Sequence, residues 1–114
     1  MQSSILGNIC LLLLLPLLLV AQAASVLYCR EQGGVNCKFY AGANQCFNLD
    51  SAWDNKISSV KQNGGCCAFY SHGGCHDRLF IANPGQIFMT LPAKWNDQAS
   101  SIKCTDDLKN CGKL

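Results

Sequence analysis

Hard oxygen donors occur in this chain as a nine-residue pattern written twice. Trp53-Asp54-Asn55-Lys56-Ile57-Ser58-Ser59-Val60-Lys61 returns as Trp95-Asn96-Asp97-Gln98-Ala99-Ser100-Ser101-Ile102-Lys103. The copies share the Trp, both serines and the final Lys, and three further positions exchange like for like. In each, two Asp/Asn side chains precede a Ser-Ser pair by two residues and run into a β-branched, strand-like end. A carboxylate, an amide and hydroxyls in one short loop can hold a hard cation. The same side chains also close turns by bonding to nearby backbone. One copy alone would favour the turn; two copies in matching surroundings favour the cation.

Other chemistry has weaker support. His72 and His76 flank Gly-Gly and Cys75, close to Ser71 and Asp77. A Ser-His-Asp grouping can be drawn from them, but all lie in one loop, with no nucleophile elbow and no paired carboxylates. No enzyme is expected. Sulfur ligation of zinc is disfavoured because no Cys-x-x-Cys occurs. A hydrophobin-like surface coat needs two Cys-Cys doublets, and only Cys66-Cys67 is present. Nine Lys/Arg against seven Asp/Glu, with no basic cluster, imply neither nucleic acid nor stable membrane association.

The elements that must position these residues begin after a leader. Ile9 to Val20 is almost unbroken Leu, followed by Ala21-Gln22-Ala23. That is a signal-peptide core with an A-x-A cleavage site, shorter than the roughly 20 apolar residues of a membrane span. Residues 1–23 are read as a signal peptide, cleaved after Ala23, and Cys10 leaves with it. The remaining residues, 24–114, are read as one secreted, monomeric domain. They keep eight cysteines, at 29, 37, 46, 66, 67, 75, 104 and 111. An even count in a short exported chain argues for four disulfides, whose pairing the spacing leaves open.

No segment carries a helical period. Short apolar runs alternate with Gly, Asn, Asp and Pro clusters, the sign of an all-β domain of short strands. A first run spans residues 25–30, and a Gln-Gly-Gly turn follows at Gln32 to Gly34. Val35 to Tyr40 and Gln45 to Leu49 are the two arms of an expected hairpin. The pattern restarts as Cys67-Ala68-Phe69-Tyr70, matching Cys37-Lys38-Phe39-Tyr40, and each hairpin is followed by one Trp-to-Lys motif. A further strand, Gln86 to Leu91, is entered through the turn Asn83-Pro84-Gly85. The Thr105 to Leu114 tail is expected to be tied down by Cys111. This duplication predicts a disulfide-rich β-sandwich of two Greek-key motifs, about 35–62 and about 66–104, with the tryptophans and Phe-Tyr pairs as core.

So assembled, the chain resembles the βγ-crystallin family, and most closely its small secreted microbial, fungal-type members. The resemblance covers Val35 to Lys103. It rests on the hairpins at Phe39-Tyr40 and Phe69-Tyr70 and on the Asn/Asp-Asn/Asp-x-x-Ser/Thr-Ser motifs Asp54-Asn55-Lys56-Ile57-Ser58-Ser59 and Asn96-Asp97-Gln98-Ala99-Ser100-Ser101. The family hairpin has an aromatic or Cys five residues after its Tyr and a Gly two further on. Here those positions hold Gln45 and Phe47, then Cys75 and Asp77. The family turn leans on backbone freedom that Gly gives most cheaply.

The resemblance implies two calcium sites shared between the motifs. Asn55 and Asp97 side chains and the Ser58 and Ser100 hydroxyls would face the ion, joined by the carbonyls of Lys56 and Gln98. Asp54 and Asn96 would brace the loops, with water and hairpin carbonyls completing each shell. One Asp and one Asn per motif is a low ligand charge, so dissociation constants on the order of 10⁻⁵ to 10⁻³ M are expected. The implied function is a secreted, non-enzymatic calcium-binding module. The alternative is a small secreted killer toxin or effector acting on other cells through an extracellular target; a cell-wall or matrix protein is third.

Overall fold

The computed structural model describes residues 23–114, so the expected signal peptide lies outside the described residues except for Ala23. Eight strands follow: β1 Ser25–Glu31, β2 Val35–Ala41, β3 Cys46–Asn48, β4 Ser59–Gln62, β5 Cys66–His72, β6 His76–Ala82, β7 Ile87–Phe88 and β8 Ser101–Thr105. A short 3₁₀ helix, Leu108–Lys113, ends the chain. The strands form two four-stranded sheets, ordered β2-β1-β4-β7 and β3-β8-β5-β6. Each half of the chain places its first, second and fourth strands in one sheet and sends its third to the other. The fourth strand lies beside the first, which is the Greek-key return.

Two expectations change here. The first half begins at Ser25, not near residue 35, because β1 pairs with both β2 and β4. The hairpin expected between Val35–Tyr40 and Gln45–Leu49 does not form. β2 turns back on β1 instead, through Gly33 and Gly34 at φ +78° and +76°, a left-handed conformation that Gly adopts cheaply. The small residues after β2 carry the chain across to the other sheet, where β3 pairs with β8. Gly42 lies under the Tyr40 ring there, since an added Cβ would stand 2.6 Å from the Tyr40 hydroxyl.

The ladders also correct the internal alignment. Tyr28 sits opposite Val60, and Phe69 sits opposite Ile102. Val60 and Ile102 are the same position of the repeated motif, so the counterpart of Phe69 is Tyr28 rather than Phe39. Burial agrees: Phe69 is fully buried, whereas Phe39 is 58% exposed. On the same offset, Asn36 and Asp77 correspond, and both take positive φ, +57° and +59°. The left-handed position at the end of each turn is therefore filled by an Asx residue rather than Gly, on the residue types that tolerate it best. The expected strand at Gln86–Leu91 shortens to Ile87–Phe88. Its turn forms as expected, with Gly85 at φ +73° and Gln86 N donating to Asn83 O at 2.9 Å.

The core lies between the sheets. Val26, Ile57, Val60, Phe69 and Ile102 are fully buried within it. Phe80 stacks on Phe69 at 4.7 Å and on Trp95 at 4.8 Å, and Tyr28 meets Trp53 edge-on at 5.2 Å. The second Phe-Tyr pair enters the core as expected; of the first, only Tyr40 packs, stacked on Phe47 at 4.5 Å. Four disulfides join Cys29–Cys37, Cys46–Cys75, Cys66–Cys111 and Cys67–Cys104. The Cys66–Cys111 bond ties the terminal helix to β5, as the tail required. Among the described residues only Cys46–Cys75 links one half to the other.

Candidate metal centre

The two Trp-to-Lys motifs meet between the halves. Asn55 N donates to Ala99 O at 2.9 Å, and Asp97 N donates to Ile57 O at 3.0 Å, so each loop is bonded to the other. Asn55 and Asp97 both take left-handed φ, +59° and +57°. That conformation explains an Asx residue at this position independently of any ligand. The serines cross the same way. Ser58 Oγ donates to Asp97 Oδ1 at 3.2 Å, and Ser100 Oγ donates to Asn55 Oδ1 at 3.3 Å. The sequence-expected ligands are thus brought together as two cross-motif pairs, Ser58 with Asp97 and Ser100 with Asn55.

Surrounding backbone holds these pairs in place. Ser58 N donates to Cys29 O at 2.8 Å and Ser100 N to Tyr70 O at 2.7 Å. Leu91 N donates to Ser58 O and Leu49 N to Ser100 O, both at 3.0 Å. The second serine of each motif has another task. Ser59 Oγ donates to Glu31 O at 2.6 Å and accepts from Gly34 N at 3.1 Å. Ser101 Oγ donates to His72 O at 2.6 Å and accepts from Cys75 N at 3.0 Å. Each Ser-Ser pair therefore aims one hydroxyl across the motif interface and latches a hairpin turn with the other.

Beside the Asn55–Ser100 pair lies an open cavity of about 630 Å³, lined also by Asn48, Asp54, Ser71, His72, Gly73 and Gln98. Sequence reasoning named Asn55, Asp54, Gln98 and Ser100 but not Asn48 or the specific hairpin residues. Asn48 is held there by Gly74 N, which donates to its Oδ1 at 2.7 Å. Its contribution depends on β3 crossing sheets, which no local pattern announces. Lys56 is exposed in its turn, with its N donating to Trp53 O at 3.1 Å.

The first-position residues, expected to brace the loops, do so through their backbone nitrogens rather than Oδ1. Asp54 Oδ1 and Asn96 Oδ1 are buried and lack a hydrogen-bond partner among the described residues. Backbone bonds do the bracing: Asp54 N donates to Asp50 O at 2.8 Å and Asn96 N to Pro92 O at 2.9 Å. A buried oxygen acceptor without a donor is unfavourable by about 1–3 kcal/mol, and a cation nearby relieves it. The donor set thus fits a hard cation: neutral and anionic oxygens with buried acceptors to spare. Among the described residues no group of three or more His, Cys, Asp or Glu is placed to hold a metal ion, so any site here would draw on amide, hydroxyl and carbonyl oxygens.

The Ser71-His72-Asp77 grouping does come together, though not as a triad. Ser71 Oγ lies 3.1 Å and Asp77 Oδ2 2.9 Å from the same nitrogen, His72 Nδ1. A relay needs nucleophile and carboxylate on opposite ring nitrogens.

Two four-stranded sheets that exchange their third strands, with mirrored Asx/Ser loops between them, define a twofold-repeated Greek-key sandwich. No protein-family model matches the sequence, and no curated protein matches it significantly. Solved structures do. A βγ-crystallin from an archaeon is 20% identical, with a TM-score of 0.58 over 73% of this chain and 99% of that one. The βγ-crystallin of Ciona intestinalis is 15% identical, with a TM-score of 0.58 over 71% and 99%. The N-terminal domain of protein S is 18% identical, with a TM-score of 0.52 over 71% and 94%. The fold is that of a βγ-crystallin domain.

Proposed function

We propose that this chain is an exported calcium-binding βγ-crystallin-type module whose fold calcium modestly stabilises. The observation that carries the reading is the crossed pairing of Ser58 with Asp97 and Ser100 with Asn55. A turn-closing Asx or Ser bonds to its own local backbone; these bond across 39 and 45 residues to the other motif's side chain. Each pair offers two oxygens of the kinds calcium accepts, and the ion would replace the serine–Asx bond. Low ligand charge makes both sites weak, on the order of 10⁻⁵ to 10⁻³ M, a range suited to extracellular fluid. At ten times the dissociation constant, one such site adds about 1.4 kcal/mol of stability. Export is supported by four disulfides, which persist in oxidising compartments. Among the described residues no helix is long and apolar enough to cross a membrane.

Calorimetric titration of the oxidised protein with calcium tests this. Heat at micromolar to millimolar calcium, with a rise in melting temperature, is expected. Asp97→Ala should remove the Ser58 site and Asn55→Ala the Ser100 site, leaving one binding step each. No heat at millimolar calcium and an unmoved melting temperature would refute it.

A second reading, a secreted toxin or effector, draws on the outer face of the first sheet. Phe39, Leu27, Lys61 and Ile87 form one cross-strand row there, with Phe39 58% and Ile87 52% exposed. Exposed apolar residues grouped with a cation suit contact with another macromolecule. Growth inhibition or cell death on adding the protein, lost in Phe39→Ser, is the outcome this reading expects.

A further inference from the structure

We propose that hydrolysis of the Ala23–Ala24 bond does more than release the leader: it creates an α-ammonium at Ala24 that Asp106 holds as its counter-charge. Ala23 is exposed, whereas Ala24 is fully buried and is the first residue of the core. The Ala24 N already donates to Asp106 Oδ1, across 82 residues of sequence. The Ala24 carbonyl accepts from Gly42 N at 3.1 Å, and its neighbour Ser25 N donates to Gly64 O at 3.0 Å. Position 24 is closely packed as well. A Cβ on Gly65 would stand 2.7 Å from Ala24 Cβ and 2.5 Å from Thr105 O. Residue 24 is therefore held at its carbonyl, at its side chain and through Ser25, and its backbone nitrogen is aimed at one carboxylate.

Cleavage by an endopeptidase selective for small residues adds water across that bond. The leader leaves with a carboxylate on Ala23, and the Ala24 nitrogen takes up a proton. The donor already facing Asp106 then becomes cationic, and a charge-assisted bond is roughly twice as strong as a neutral one. The other contacts described at Ala24 and Ser25 are with neutral groups: Gly42 and Gly65 at Ala24, Gly64 and Gln62 at Ser25. Asp107, the next carboxylate, is turned away to the terminal helix, where it accepts from Lys109 N at 3.1 Å and Asn110 Nδ2 at 2.7 Å. Asp106 is thus the counter-charge at this nitrogen. Cleavage one residue later would remove a core residue; cleavage two residues earlier would leave the nitrogen an uncharged amide.

The inference rests on the export reading, and its test separates the two. Oxidised protein starting at Ala24 is compared with protein starting at Ala23, each with Asp106 and with Asp106→Asn, folding being checked by circular dichroism. In the Ala24 form the α-amino group should titrate at least half a unit above its ordinary range of about 7.7–8.0, and Asp106→Asn should return it there. Asp106→Asn should also lower the melting temperature more in the Ala24 form than in the Ala23 form. An ordinary α-amino titration beside Asp106, or equal losses in both forms, overturns the pairing alone. Intact mass of the chain from a secreting host should begin at Ala24. A start elsewhere overturns the cleavage site, and retention of the whole chain in the cell overturns export itself.

Discussion

At the scale of single residues, the second Asx of each motif holds two roles that substitutions can separate. Asn55 and Asp97 supply a side-chain oxygen and also sit at left-handed φ. Asn55→Gly removes the oxygen but keeps the conformation, so stability should change by no more than about 0.5 kcal/mol. Asn55→Ala adds strain of about 1–2 kcal/mol. Both should abolish the same calcium step, which denaturant titration with and without calcium would reveal. Two tyrosines make a separate prediction about pH. Burial pushes the phenol of Tyr28 above its ordinary value, with the Asp50 charge adding to it, and burial does the same to Tyr70 against the opposing pull of Arg78. A phenol that ionises later when folded adds stability that is intact below about pH 10 and lost as pH rises through the folded value. Chemical stability should therefore fall above pH 10, and absorbance titration near 295 nm should show late phenolate formation that disappears in denaturant.

At the scale of elements, the hairpin latches are the parts most open to test. Ser101 is fully buried and satisfies both His72 O and Cys75 N; Ser59 does the same for Glu31 O and Gly34 N. Replacing either serine with alanine strands two backbone groups, at about 1–3 kcal/mol for each left unpaired. Equilibrium denaturation should register that loss without calcium present. Ser58→Ala and Ser100→Ala should instead change calcium binding more than stability in its absence. The motif itself was plain in the sequence because its spacing repeats. The division of labour within Ser-Ser was not, since it depends on where hairpin turns from distant segments come to rest.

At the scale of the whole molecule, the two halves are mutually dependent. Removing the single cross-half disulfide by Cys46→Ala with Cys75→Ala should lower stability by about 3–4 kcal/mol, in the chain-entropy account for a loop of 29 residues. Residues 24–64 alone should show no cooperative melting, because their third strand has no sheet to join. The all-β class, the duplication and the even disulfide count could be read from turn residues and cysteine number. The true partner of β2 could not. Phe39-Tyr40 imitates Phe69-Tyr70 in composition, and only the ladder opposite Val60 and Ile102 reveals that Tyr28 holds the equivalent place. The left-handed positions Asn36 and Asp77 are obscured for a similar reason, because an Asx residue serves where the family hairpin has Gly.

The exchange of β3 and β7 between sheets has a consequence for how such a chain could arise. A single ancestral half would have carried a sheet with one slot empty and one strand unplaced. Only a second copy could fill the slot and accept the strand, so a lone half could close its sheets only as a strand-swapped homodimer. Joining two copies through the short Asn63-Gly64-Gly65 segment turns that encounter into an intramolecular step at high effective concentration. A tethered pair of halves need not stay identical: the second hairpin turn holds Cys75 where the first holds Gly34, and only the cysteine can bond across to Cys46.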